Sequence, residues 1–175
     1  MSNKAQSPNR IRVSIWHSVI WIWFDIWILT FGFMKRVLVF GTFDGLHPGH
    51  INFFQQAKKL GDELIIVVAR DATVQKVKGR PPRKNENARL SDARNAGIAG
   101  EVLLGNLGDP YAIIKQIKPD IIALGYDQNS FTKNLPDYTK KENLKIEIMR
   151  LMPHKPETYK SSLMTATGDR LTRPT

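Results

Sequence analysis

The chain has 175 residues, 42% of them hydrophobic, which fits one domain of ordinary size with terminal tails and excludes an intrinsically disordered chain. Its 26 Lys and Arg against 16 Asp and Glu give a formal net charge of +10. That balance favours polyanionic partners, but no RNA- or DNA-binding motif accompanies it, so phosphorylated small molecules are expected and nucleic acid is not. Cysteine is absent, which excludes disulfides, thiolate metal sites and cysteine nucleophiles and suits a cytoplasmic location.

The first 33 residues stand apart as an apolar N-terminal extension. Residues 13–33 hold all four tryptophans and are long enough to span a bilayer, and Lys4, Arg10 and Arg12 would keep the preceding end cytoplasmic. Asp25 in mid-segment argues against a span, because a carboxylate is costly in lipid. An anchor of this orientation would also put the following domain on the far side of the membrane, with no linker before it. The preferred expectation is that Met34 is the true start. A membrane anchor and an extra packed helix are the alternatives, so any membrane association would run through residues 13–33.

From Met34 the pattern becomes regular. Arg36–Phe40 reads as a strand that ends in a glycine-bearing turn, and Gly49–Leu60 as a helix with Ile51, Phe54, Ala57 and Leu60 on one face. Glu63–Ala69 is a continuous apolar run, as expected of a strand covered on both faces. A basic loop carrying Lys76 and Lys78 follows, then a helix near Glu86–Ala96. Glu101–Leu104 reads as a third strand, Pro110–Ile117 as a helix opened by proline, Asp120–Leu124 as a fourth strand and Lys145–Met149 as a fifth. Strands alternating with helices predict an α/β fold, a Rossmann-like doubly wound five-stranded parallel sheet, over residues 34–164. A polar tail, 165–175, closes the chain. In such a sheet ligands sit at the carboxyl ends of the strands where strand order reverses. Two places qualify: the turn after the first strand and the turn Gly125-Tyr126-Asp127-Gln128 after the fourth.

The first of these turns carries chemistry. Gly41-Thr42-Phe43-Asp44-Gly45-Leu46-His47-Pro48-Gly49-His50 follows a strand and opens a helix. A helix N-terminus offers unpaired N–H groups and a positive dipole end, which suits phosphate. Gly49 lets the backbone approach a ligand, and the imidazoles of His47 and His50 can donate to phosphate oxygens as charge builds in a transition state. Phosphoryl transfer needs mostly positioning and charge neutralisation, with no obligatory protein nucleophile. A zinc site is the weaker alternative, since His17 and His154 are the only other histidines and cysteine is missing.

Gly41-Thr42-Phe43-Asp44 with His47-Pro48-Gly49-His50 resembles the signature of the cytidylyltransferase-like nucleotidyltransferases. These α/β enzymes join a nucleoside monophosphate to a phosphorylated acceptor and release pyrophosphate. Val68–Thr73, Lys76–Arg80 and Ile121–Gln128 resemble the archaeal-type FAD synthase branch, which transfers AMP from ATP to FMN. CTP-dependent cytidylyltransferases acting on glycerol 3-phosphate or phosphoethanolamine are near neighbours. The resemblance implies backbone contacts to the nucleotide at Thr42 and Phe43, and triphosphate held by His47, Pro48, Gly49 and His50. It makes Lys76 and Lys78 phosphate-neutralising lysines, and Asp127 the acid near the ribose or base. Ser161 and Ser162 would bind the β- and γ-phosphates. Magnesium would arrive on the triphosphate of ATP or CTP, with no metal site of protein side chains alone.

Each assignment has a plainer account. Lys76 and Lys78 could belong to a solvated loop, Asp127 could cap the next helix, and Arg89, at a position where the family often has arginine, could be an exposed helix charge. The chain departs from the family pattern around Ser161-Ser162-Leu163-Met164. The arginine expected before it is absent, and Lys155 or Lys160 lacks its bidentate fork. A non-catalytic nucleotide-binding module therefore stays beside the enzyme, FMN is the favoured acceptor, and a homodimer is left open.

Overall fold

The computed structural model describes residues 34–129 and 132–153. The chain divides into two units, Met1–Met34 and Lys35–Thr175, and the fold belongs to the second. Expectations for the extension 1–33, for His154, for Ser161 and Ser162, and for the tail 165–175 lie outside the described residues. Among the described residues no helix is long and apolar enough to cross a membrane.

Five strands form one sheet: β1 (Arg36–Gly41), β2 (Glu63–Val68), β3 (Glu101–Leu104), β4 (Ile121–Leu124) and β5 (Glu147–Arg150). They are ordered β3-β2-β1-β4-β5 and every neighbouring pair is parallel. The helices in chain order are α1 (Pro48–Lys58), α2 (Asp71–Lys78), α3 (Glu86–Asn95), α4 (Ala112–Ile117) and α5 (Leu135–Lys141). Alternate strand residues point to opposite faces, and each face buries its own set. Val37, Val39, Leu64, Ile66, Val68 and Ala123 pack with Phe54 and Ala57 of α1 and Ala93 of α3. Leu38, Phe40, Ile65, Val67, Ile122 and Leu124 pack with Ile113, Ile114 and Ile117 of α4 and Leu135 of α5. Helices cover both faces, so the central strands read as unbroken apolar runs. The expected doubly wound Rossmann-like α/β sheet is therefore the fold.

The strands enter the sheet through side-chain locks. Asp62 Oδ2 accepts from Lys35 N and Asp120 Oδ2 from Arg36 N, both at 2.8 Å, which ties the start of β1 to the turns before β2 and β4. Gly61 is required there, because a Cβ on it would lie 2.5 Å from the Lys35 carbonyl oxygen.

Several element assignments shift. The segment expected as a basic loop after β2 is the helix α2, with Asp71 in its first turn and Gly79 closing it at a left-handed φ of 70°. Only Val74 of α2 is buried, too little to give an apolar period. Residues 135–141, to which the pattern gave no element, form α5, with proline in its first turn and Leu135 and Thr139 buried one turn apart. The helix expected from Pro110 starts at Ala112, after a turn in which Asp109 Oδ1 accepts from Tyr111 N at 2.9 Å. Strand β5 begins at Glu147 rather than Lys145, because pairing with β4 sets Ile121 opposite Glu147.

Candidate active site

Strand order reverses between β1 and β4, and the turns that follow these two strands lie side by side at the carboxyl edge of the sheet. The chain leaves β1 at Gly41 and folds Phe43 back over it: a Cβ on Gly41 would lie 2.4–2.8 Å from the Phe43 ring. Phe43 adopts a left-handed φ of 50°, a conformation that only a fixed environment sustains in a bulky residue. Its ring is buried and meets both His50 and Phe54 edge-on, at centroid distances of 5.4 and 4.9 Å. The side chain is thus a core wedge, which leaves the backbone of the turn for contact with a ligand.

His47 is the N-cap of α1, and His50, one turn on, stacks on it with centroids 3.8 Å apart and planes 26° from parallel. Pro48 contributes no N–H, and the amides of His50 and Ile51 donate to His47 O at 2.8 and 3.2 Å. Of the first-turn amides, that of Gly49 is the one with no backbone acceptor among the described residues. The helix therefore offers an anion fewer bare amides than its N-terminus alone suggests, and more of the binding falls to the imidazoles. Burial, then the neighbouring His47 and Lys78, push the His50 imidazole down to about 4, against a smaller opposing effect of the Gly45 backbone. Burial also holds His47 below the ordinary histidine range. Both rings are neutral at pH 7.

Among the described residues Arg89 of α3 is the largest fully buried side chain, with 0% exposure. Its guanidinium donates to Thr42 O at 2.6 Å, Ala69 O at 2.8 Å, Lys84 O at 3.0 Å and Asp71 Oδ1 at 2.6 Å. An exposed helix charge is thereby ruled out for Arg89: one planar fork joins the turn after β1 to the end of β2 and the start of α2. Asp71 in turn accepts from Glu86 N at 3.1 Å, and Glu86 receives Arg70 through both carboxylate oxygens, which keeps the Glu86 carboxyl below the usual range. Asp44 is spent on the same task, accepting from Arg83 N at 2.7 Å and Lys84 N at 3.0 Å. The bonds that Asp44 and Arg89 make carry no signal in the sequence, since all but the local one from Arg89 to Lys84 span 18 to 47 residues.

Lys78 closes α2 within electrostatic reach of His50, Asp44, Arg89 and Asp127. Partial burial lowers its ammonium below the lysine range; Asp44 and Asp127 oppose this, while Arg80 and Arg89 add to it. Lys76 is exposed two residues earlier, and on a helix residues two apart face different sides, so the two lysines do not converge. Asp127 lies exposed in the turn after β4 and does not cap α5, whose N-cap is Asn134. The Gly125–Gln128 turn is held to β1 by Gln128, whose Nε2 donates to Phe40 O at 2.7 Å while its Oε1 accepts from Gly125 N at 3.1 Å. On the outer side of α1, beginning at His47, Leu46, Pro48, Ile51, Asn52 and Gln55 line an open groove of about 560 Å³.

The arrangement thus gathers Thr42, Phe43, His47, Pro48, Gly49, His50, Lys78 and Asp127 at one edge of the sheet. It can hold a polyphosphate with neutral N–H donors beside cations and an exposed carboxylate. Among the described residues no group of three or more His, Asp or Glu side chains could hold a metal ion, and both Asp44 oxygens are taken.

Residues 38–166 match the family model described as Cytidylyltransferase-like. The FAD synthase of Aciduliprofundum boonei is 42% identical over 67% of this chain and 78% of that protein. The FAD synthase of Methanosarcina barkeri is 46% identical over 67% of this chain and 84% of its own length. Among solved structures, one described as a lipopolysaccharide core biosynthesis protein from Thermoplasma volcanium superposes with a TM-score of 0.66 at 39% identity, covering 70% of this chain and 99% of that one. Sheet order, the His47/His50 turn and these likenesses agree: the chain belongs to the cytidylyltransferase-like family and is a nucleotidyltransferase.

Proposed function

We propose that this enzyme transfers AMP from ATP to FMN, forming FAD and pyrophosphate. The observation that carries the reaction class is the stacked, neutral His47/His50 pair at the start of α1, facing the switch point of the sheet. The choice of FMN and ATP rests on the FAD synthases among the relatives.

In this reading an oxygen of the FMN phosphate attacks the α-phosphorus of ATP in line. The new P–O bond forms as the bond between the α-phosphorus and the bridging oxygen to the β-phosphate breaks, and pyrophosphate leaves with that electron pair. His47 and His50 donate N–H bonds to phosphate oxygens whose charge grows in the transition state, and the Gly49 amide adds a backbone donor. Lys78 supplies a positive charge beside the leaving group, and Lys76 is the weaker candidate because α2 turns it to another side. Asp127 meets the ribose or base, and Ser161 and Ser162 complete the β,γ-phosphate site. Magnesium on the triphosphate would neutralise charge; no step depends on a protein ligand for it. ATP and FMN as substrates favour a cytoplasmic location.

The test is pyrophosphate release from ATP or CTP, each offered with FMN, glycerol 3-phosphate or phosphoethanolamine. ATP with FMN should exceed every other pair. His47→Ala and His50→Ala should each lose about 10²- to 10³-fold in kcat, the scale of one lost transition-state donor. Turnover with CTP and a phospho-alcohol alone would overturn the substrate assignment, and near-normal turnover in both variants would overturn the catalytic one.

A further inference from the structure

The turn after β4 is braced from two sides, and one brace comes from the edge of the sheet. Arg150 is the last residue of β5, paired in register with Leu124 at the end of β4. Its guanidinium reaches over that turn: Nη1 donates to Gly125 O at 2.8 Å and Tyr126 O at 3.1 Å, and Nη2 to Gln128 O at 3.3 Å. Gln128 grips the same turn from inside, bridging Gly125 N and the Phe40 carbonyl of β1. Three of the four carbonyls from Gly125 to Gln128 are thus committed to one planar cation, which fixes the direction of the peptide groups between them.

These bonds do little for the stability of the fold. The Arg150 contacts are exposed to solvent, where charged hydrogen bonds contribute modestly to folding. Their effect is on the order of a short turn that carries Asp127 and faces the end of β1. A turn read by a ligand through its backbone must be held in one conformation before binding, or its ordering is charged against affinity.

We propose that Arg150, with Gln128, is a positioning residue for the nucleoside half of the nucleotide. It holds the Gly125–Asp127 backbone in the binding conformation, while the His47/His50 turn holds the phosphates independently of it. The proposal rests on the assignment of this site to a nucleoside triphosphate. It predicts a split that a general structural role would not produce.

Calorimetry with ATP and with inorganic triphosphate, which lacks the nucleoside, measures the two halves separately. Arg150→Met should weaken ATP binding about ten-fold, the scale of one charged hydrogen-bonding partner. Inorganic triphosphate should bind within two-fold of the unmodified chain. Arg150→Lys should recover only part of the loss, because an ammonium cannot span three carbonyls in a plane. Gln128→Glu, which places a carboxylate against Phe40 O, should show the same split, and it serves as the second route should Arg150→Met fold poorly. Equal weakening of both ligands, or none of either, would overturn the brace. Failure of the unmodified chain to bind ATP would instead overturn the site assignment.

Discussion

His50 ties folding stability to pH in a window set by its burial. Its folded pKa is about 4 against an ordinary histidine value of 6.5, so between those values the unfolded chain binds the proton that the folded site rejects. Stability from keeping this ring neutral is fully present above pH 6.5. It falls as pH drops through the window and levels off below 4. At pH 4.5 the difference amounts to about 2.5 kcal/mol, taking 1.36 kcal/mol per pKa unit and allowing for partial protonation of the folded state. Urea unfolding of the chain and of His50→Asn, at pH 7.5 and pH 4.5, reads this term. Carboxylates titrate in both proteins and cancel in the comparison, whereas His50 titrates in one. The unsubstituted chain should lose about 2.5 kcal/mol more than the variant across the interval. Equal losses would refute the claim that burial keeps His50 neutral. Nucleotide binding should act in the opposite sense: triphosphate brings negative charge beside the ring and raises its pKa. Calorimetry near pH 5.5 in buffers of different ionisation enthalpy should therefore register proton uptake with ATP, and less of it with His50→Asn.

Arg89→Met removes a buried guanidinium and leaves Asp71 and three carbonyls without that donor, so unfolding free energy should drop by about 3–5 kcal/mol in urea titration. Arg89→Lys should fall between, since one ammonium replaces a planar fork; a variant as stable as the parent would contradict the role assigned to Arg89. Gly41→Ala drives a Cβ into the Phe43 ring, which is wedged against His50 and Phe54. It should cost about 1–3 kcal/mol in thermal or urea unfolding. Because the displaced ring supports His50, ATP affinity measured by calorimetry should fall as well, and unchanged affinity would separate the ring from the site.

The sheet and the histidine turn were legible because their signals are local. Leu64-Ile65-Ile66-Val67-Val68 and Ile121-Ile122-Ala123-Leu124 are runs expected of a strand covered on both faces, and both are interior strands that flank β1. His47-Pro48-Gly49-His50 sets two imidazoles one helical turn apart whatever the surroundings. The second layer of the site was not legible. Arg89 looks like any helix arginine until Thr42, 47 residues earlier, is seen to accept its proton at 2.6 Å. Helix α2 was hidden because a single buried residue, Val74, anchors it, too little to give an apolar period. Arg150 carried no signal either, because its partners are the carbonyls of a turn on the neighbouring strand.

The proposed chemistry also explains why a chain with a net charge of +10 keeps its two central imidazoles neutral. Permanent charge at the phosphates would bind the ground state and the transition state nearly alike, lowering KM without raising kcat. Here the cations are carried by residues around the pair: Lys78 at the end of α2, Arg80 just beyond it, and Arg89 beneath the turn. Burial chiefly depresses the neighbouring titrations, with Lys78 adding to it at His50 and Arg80 and Arg89 adding to it at Lys78. Burial, aided at His50 by His47 and Lys78, therefore keeps the histidines neutral and leaves them directional donors, whose bonds strengthen as charge moves onto the oxygens they face. Restoring charge to the pair should tighten triphosphate binding more than it speeds transfer. Turnover measured from pH 7.5 down to pH 5.5 should accordingly show KM for ATP falling at least as steeply as kcat rises, and a kcat that climbs with protonation at constant KM would overturn the division of labour between the cations and the imidazoles.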